Sequence, residues 1–153
     1  MSGGSTYRGG VRRAWASGND GGAGSTISEN EITGFTNGIE ATDSDGLTIT
    51  YNQIRNNGDG SGNGIGILVG DGTIDGSTIT VNWNNVVGNN YGLYAGTTTG
   101  TVDAELNWWG DAGGPSAGEG AGGQIDVEPW LTGPAPDGPP TPAQLSLTTA
   151  DPV

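Results

Sequence analysis

Ile27-Ser28-Glu29-Asn30-Glu31-Ile32 returns as Ile49-Thr50-Tyr51-Asn52-Gln53-Ile54 and again as Val81-Asn82-Trp83-Asn84-Asn85-Val86. A weaker echo follows in Ala104-Glu105-Leu106-Asn107-Trp108-Trp109. The asparagines stand 22, 32 and 23 residues apart. Each of the first three hexads is followed by a glycine and an aliphatic residue: Gly38-Ile39, Gly66-Ile67 and Gly92-Leu93. The offset from asparagine to glycine is 8 residues in the first and third units and 14 in the second, which carries an insertion around Asp59–Asn63. The remaining excess of that unit falls at Gly70–Gly76. A period of 20 to 50 residues that survives such insertions is the mark of a repeat architecture.

Within each unit, short β-prone stretches such as Leu47-Thr-Ile-Thr50 and Ser77-Thr-Ile-Thr-Val81 are punctuated by Asn, Gly and Asp turns. Apolar and polar positions alternate, so one face of each strand points inward. A single unit cannot bury that face, but stacked units can. Stacking gives apolar columns Ile27/Ile49/Val81/Ala104 and Ile32/Ile54/Val86/Trp109. Asparagine at 30, 52, 84 and 107 has two physical reasons: it tolerates left-handed backbone at a tight bend, and its amide can bond the amide one rung away, forming a ladder. The glycines before Ile39, Ile67 and Leu93 permit bends where a side chain would clash.

This Asn-x-Ile…Asn-Gly-Ile rhythm resembles the right-handed parallel β-helix repeat of the pectate-lyase-like superfamily. Leu106-Asn-Trp-Trp-Gly-Asp-Ala-Gly-Gly-Pro-Ser116, followed by Ile125-Asp-Val-Glu-Pro-Trp-Leu131, is similar to the terminating segment of β-helix surface proteins from archaea and bacteria, and haloarchaeal viruses are a further setting. The resemblance implies an all-β fold: a short right-handed parallel β-helix of about four rungs with a C-terminal cap and an extended tail. The handedness comes from the resemblance and not from the spacing. Residues 1–24 read as an N-terminal arm or irregular first rung, 25–104 as rungs, 105–131 as terminal rung and cap, and 132–153 as a Pro-rich linker and tail. Trp108, Trp109 and Trp130 are expected to cover the last rung, with Pro115 and Pro129 refusing further pairing. Six of the eight prolines lie in 134–152, so Gly133–Pro142 reads as an extended linker. Gln144–Thr149 alternates like one strand, either frayed or paired with a neighbouring subunit.

Composition taken alone describes a disordered chain. Glycine supplies 32 of 153 residues, about three times its ordinary ~7% share, and aliphatic residues are scarce. A solenoid can fold with such a composition because it buries only a thin stripe per turn. The cations are four arginines, Arg8, Arg12, Arg13 and Arg55, against 17 acids, for a net charge of −13. Residues 14–153 hold every acid and only Arg55, a surface that repels phosphate backbones, so nucleic acid is not an expected partner. The N-terminal arginines read as a solvated tail. The lysine-free acidic surface has two readings: a salt-loving source, or an ordinary acidic extracellular protein. No cysteine is present, and no apolar run reaches the ~18 residues of a membrane span, so no membrane insertion is expected. Met1–Arg8 lacks an apolar signal region, so an extracellular, cell-surface or virion-surface setting implies release on lysis or a chain that is a fragment.

Without His, Cys or Lys, the common general bases, thiol nucleophiles and imine chemistry are missing. The resemblance to lyases would bring a calcium-binding acidic cluster beside a basic residue, but no acidic motif stands beside Arg55, so no catalytic residue is carried over. Glu29, Glu31 and Glu40 share one unit and keep paired-carboxylate hydrolysis conceivable, against the plainer reading of solvent-facing acids. No cofactor is expected, although Ca2+ has candidate ligands in Asp43 and Asp45, in Asp71 and Asp75, and in Asp59 with Asn63. Asp-Gly pairs are also ordinary turn chemistry. Tyr51 and Trp83 precede the column asparagines and should stack. With Tyr91 and Tyr94 they form a candidate glycan surface, or else pack beneath the insertion or at an interface between subunits. The expected function is a non-catalytic structural or adhesive module of an extracellular or virion surface assembly. Its expected partners are copies of itself, in a homo-oligomer, or other surface proteins. A carbohydrate-binding module is the alternative, and a polysaccharide lyase or glycoside hydrolase a more distant one.

Overall fold

The computed structural model describes residues 6–7, 14–17, 24–42, 45–58, 64–70, 74–96, 98–115 and 121–141. Each repeat unit lays three short strands on three faces of a coil and then advances by one strand spacing. The first face carries, in spatial order, β1 (Thr6–Tyr7), β3 (Thr26–Ser28), β6 (Thr48–Thr50), β10 (Thr80–Asn82), β14 (Val102–Asp103) and β16 (Ile125–Asp126). The second face carries β4 (Glu31–Thr33), β7 (Gln53–Arg55) and β11 (Asn85–Val87). The third carries β2 (Ala14–Ser17), β5 (Asn37–Thr42), β8 (Ile65–Val69), β12 (Tyr91–Ala95) and β15 (Ala121–Gly122). A smaller pair, β9 (Ile74–Asp75) with β13 (Thr98–Thr99), closes one corner. Every pairing of these strands is parallel.

The register follows the repeat. Ile27 aligns with Ile49 and Ile49 with Val81; Ile32 with Ile54 and Ile54 with Val86; Ile39 with Ile67 and Ile67 with Leu93. These nine side chains are at most 3% exposed and, with Ala41, Val69 and Ala95, form one continuous core. Burial therefore fixes the register, because a one-residue slip would turn each column into water.

The coil makes about three complete turns, fewer than the four expected. Complete turns need all three faces, and the echo at Ala104–Trp109 supplies them only partly. On the second face, Trp108 adds a single parallel bridge to Asn85, and the chain then turns away through Gly110 and Gly114, both at positive φ. At the N-terminal end, where the sequence allows either an arm or an irregular first rung, β1 and β2 give a corresponding partial turn.

Gly133–Pro142 does not run out as an extended linker where it is described. Leu131 forms an antiparallel bridge with Pro140, and the Thr132 and Thr141 amides donate to Pro139 and Trp130 carbonyls, each at 2.8 Å. Asn85 clamps this fold-back: its Oδ1 accepts from the Ala135 amide at 2.8 Å and its Nδ2 donates to the Ala135 carbonyl at 3.1 Å. Prolines can accept but not donate, so the folded-back segment ends strand pairing at this end. Gln144–Thr149 and the N-terminal arginines lie outside the described residues.

Candidate functional site

Two ladders of buried asparagine brace the coil. Asn30, Asn52, Asn84 and Asn107 are at most 2% exposed. The Nδ2 of each of the first three donates to the Oδ1 of the next, at 3.1, 3.0 and 3.0 Å. The same Oδ1 atoms accept the backbone amides of Asn30, Asn52 and Asn84 at 2.9 to 3.0 Å. The left-handed residue is not the asparagine, however, but the one before it: Glu29, Tyr51, Trp83 and Leu106 have φ of 59°, 56°, 62° and 56°. The asparagine's role is hydrogen bonding, and its neighbour carries the bend.

The second ladder, Asn57 to Asn89, lies outside the columns read from the repeat. Asn57 Nδ2 donates to Asn89 Oδ1 at 2.9 Å, and the Phe35 amide donates to Asn57 Oδ1 at 3.3 Å. The glycine column packs against it. A Cβ on Gly66 would stand 2.6 Å from the Gly92 carbonyl and 3.0 Å from Asn89 Nδ2. These glycines are needed for close approach and not for a positive φ. The sequence signal was present, since Asn57 and Asn89 each follow a ladder asparagine by five residues, but Phe35 holds that position in the first turn.

The four candidate aromatic residues form two separate pairs. Tyr51 and Trp83, at the corner between the first and second faces, stack with centroids 6.4 Å apart and planes 18° from parallel. The offset leaves Tyr51 49% exposed. Tyr91 and Tyr94 project from β12 on the third face, in an edge-to-face pair at 6.4 Å. They are 48% and 41% exposed, and their rung neighbours Ile65 and Leu68 are half-buried. In the same columns, one rung back, stand Asn37 and Glu40, joined by a hydrogen bond from the asparagine amide to the carboxylate. One rung forward, Gly122 lies in register with Tyr94, and a Cβ there would come within 2.9 Å of its ring.

Trp109 is fully buried in the core, and Trp130 packs against it half-buried, donating its Nε1 proton to the Ala112 carbonyl at 3.2 Å. Trp108 is half-buried and extends the second face by its backbone. Of the candidate calcium ligands, Asp43, Asp71, Asp59 and Asn63 lie outside the described residues. Asp45 and Asp75 stand on adjacent rungs, where Asp45 accepts the Asp75 amide at 3.0 Å and Asp75 accepts from the Ser77 amide and hydroxyl. These are turn-capping bonds. Among the described residues no three acidic side chains are grouped to hold a metal. Glu31 is ion-paired with Arg55 at an exposed site, so the three glutamates of the first unit do not form a free carboxylate group. Glu105, partly covered beside Asp103 and Asp126, has its carboxyl raised above the ordinary range by desolvation first and by those two carboxylates second.

Comparison with curated proteins and with solved structures returns no match. The model of a family described as the right handed beta helix region matches residues 15–108. That stretch covers more than half of the 153 residues and contains all three complete turns, and the chain therefore belongs to the right-handed β-helix family.

Proposed function

We propose that this chain is a rigid, non-catalytic adhesive module of an extracellular or virion surface assembly. The observation that carries the reading is the outer face of the third sheet, where Tyr91 and Tyr94 stand largely exposed beside Ile65 and Leu68 on a ladder-braced coil. Contiguous exposed apolar surface on a soluble domain marks a contact site. Aromatic rings held on a stiff scaffold lose little conformational entropy on binding, which favours adhesion. The acidic, lysine-free composition suits a module that works outside the cell.

The test is retention of the purified chain on cell-envelope preparations, compared with Tyr91→Ala. Retention that falls in the variant supports adhesion through this face. No retention of the parent chain would sink the reading. A second reading, a building unit of a homo-oligomer, draws on the same apolar face. Light scattering at ~0.1 M and ~3 M salt would favour it by showing a defined oligomer that Tyr91→Ala dissolves.

A further inference from the structure

The corner between the first and second faces carries a ridge. Tyr51, Trp83 and Leu106 follow one another there on successive rungs, all at positive φ. Glycine would relieve each of these bends, yet the position holds large apolar side chains. Tyr51 and Trp83 stack, and Tyr51 remains 49% exposed. Trp83 and Leu106 are half-buried, and the Trp83 amide donates to the Leu106 carbonyl at 2.9 Å, which puts the third side chain on the next rung of the same ridge.

The first face changes character beside this ridge. Its outer columns begin with hydroxyl and amide groups, Thr48 and Thr80 in one, Thr50 and Asn82 in the other. Then they turn acidic. Asp103 aligns with Thr80 and Asp126 with Asp103, while Glu105 stands two residues beyond Asp103 and immediately before Leu106. The described cation, Arg55, lies on the second face and is engaged by Glu31, so it does not offset these acids. Neighbouring rungs are ~4.8 Å apart and two residues along a strand span ~7 Å. At such spacings the carboxylates influence one another, and Glu105 is raised by desolvation first and by Asp103 and Asp126 second. They do not close on a single ion: among the described residues no three acids are grouped to hold a metal. A partner that answers this pattern carries several cations spaced as the carboxylates are. An extended polypeptide with a basic residue at every second position has that spacing. Its cations can also sit over exposed tyrosine or tryptophan rings, which attract them.

We infer that the Tyr51–Trp83 ridge, together with Asp103, Glu105 and Asp126, is a docking surface for an extended basic segment of a partner protein. This surface goes beyond the adhesive reading, because it lies at a different corner and the third-face tyrosines take no part in it.

The experiment is calorimetric titration of the full chain, at ~0.1 M salt, with a short peptide that alternates lysine and threonine. Trp83→Gly, Glu105→Gln, Asp126→Asn and Asp137→Asn are titrated alongside, with the melting temperature of each. Glycine suits the φ of 62° at Trp83, and Asp137 is an exposed acid of the fold-back segment that serves as a charge control. The parent chain should bind the peptide. Trp83→Gly should weaken binding about fivefold, the effect of one lost cation–π contact. Asp126→Asn and Glu105→Gln should weaken it by a similar factor while staying folded, and Asp137→Asn should keep the parent's affinity. No binding by the parent would overturn the inference. Equal losses in Asp126→Asn and Asp137→Asn would replace the surface with a diffuse acidic field. Full affinity in Trp83→Gly would remove the ridge from it. Calcium that binds through Asp126 and that the peptide cannot displace would make the acids a metal site instead.

Discussion

Asn52 uses every polar atom of its side chain inside the coil. Its Oδ1 accepts from the Asn30 backbone and side chain, and its Nδ2 donates to Asn84 Oδ1 and to the Ile27 and Thr50 carbonyls. Truncation strands buried donors and acceptors on both neighbouring rungs, and each unmade bond costs about 1–3 kcal/mol. Asn52→Ala should therefore lose about 3–5 kcal/mol in urea unfolding, among the larger single-site effects. A loss under about 1 kcal/mol, the net worth of one ordinary hydrogen bond, would show that the ladder contributes little. Glu105 makes the opposite kind of prediction. Its folded pKa lies above the unfolded one, so its ionised form costs stability at neutral pH. That cost fades as pH falls through the raised value. Glu105→Gln should melt slightly higher than the parent at pH 7, with the gap narrowing near about pH 4, where carboxyls protonate in both states. A gap that is constant across this range would contradict the assignment. The asparagine column was legible at this scale because identical residues recur at one repeat position. The left-handed position was not, because propensity favours asparagine there and the structure gives it to tyrosine and tryptophan instead.

At the scale of the strand, the glycines divide into two kinds. Gly66 sits where a Cβ would collide with the next rung, while Gly34 has nothing within 4 Å of its own and only a φ of +79° to accommodate. Gly66→Ala must push apart backbone and ladder together and should destabilise by about 3 kcal/mol or more, as overpacking does. Gly34→Ala carries only the left-handed penalty of about 1–2 kcal/mol. Chemical denaturation of both variants checks the order, and equal losses would refute the close-approach account. The strands and their inward columns could be read from alternation alone. The partnership between the glycine column and the second asparagine ladder could not, because it joins residues on different rungs and Phe35 interrupts the column in the first turn. The proline segment departs from its sequence reading for a related reason. Its composition describes an extended chain, whereas its structure depends on Asn85, 50 residues away.

For the molecule as a whole, the sequence disclosed the solenoid and slightly overcounted its turns, since a recurring hexad reports one corner and not all three faces. Acidic repulsion spread over the coil, at a net −13, is screened within ~10 Å at 0.1 M salt and ~3 Å at 1 M. The melting temperature should therefore climb with added salt across that range, and a flat or falling profile would argue that the charges are already balanced by local contacts. One property belongs to no single rung. In both asparagine ladders the donating amide always lies toward the N-terminus and the accepting carbonyl toward the C-terminus. Side-chain dipoles aligned head to tail polarise one another. The ladders thus give the coil a polar axis, and an array that lays these molecules side by side in one orientation has a built-in up and down.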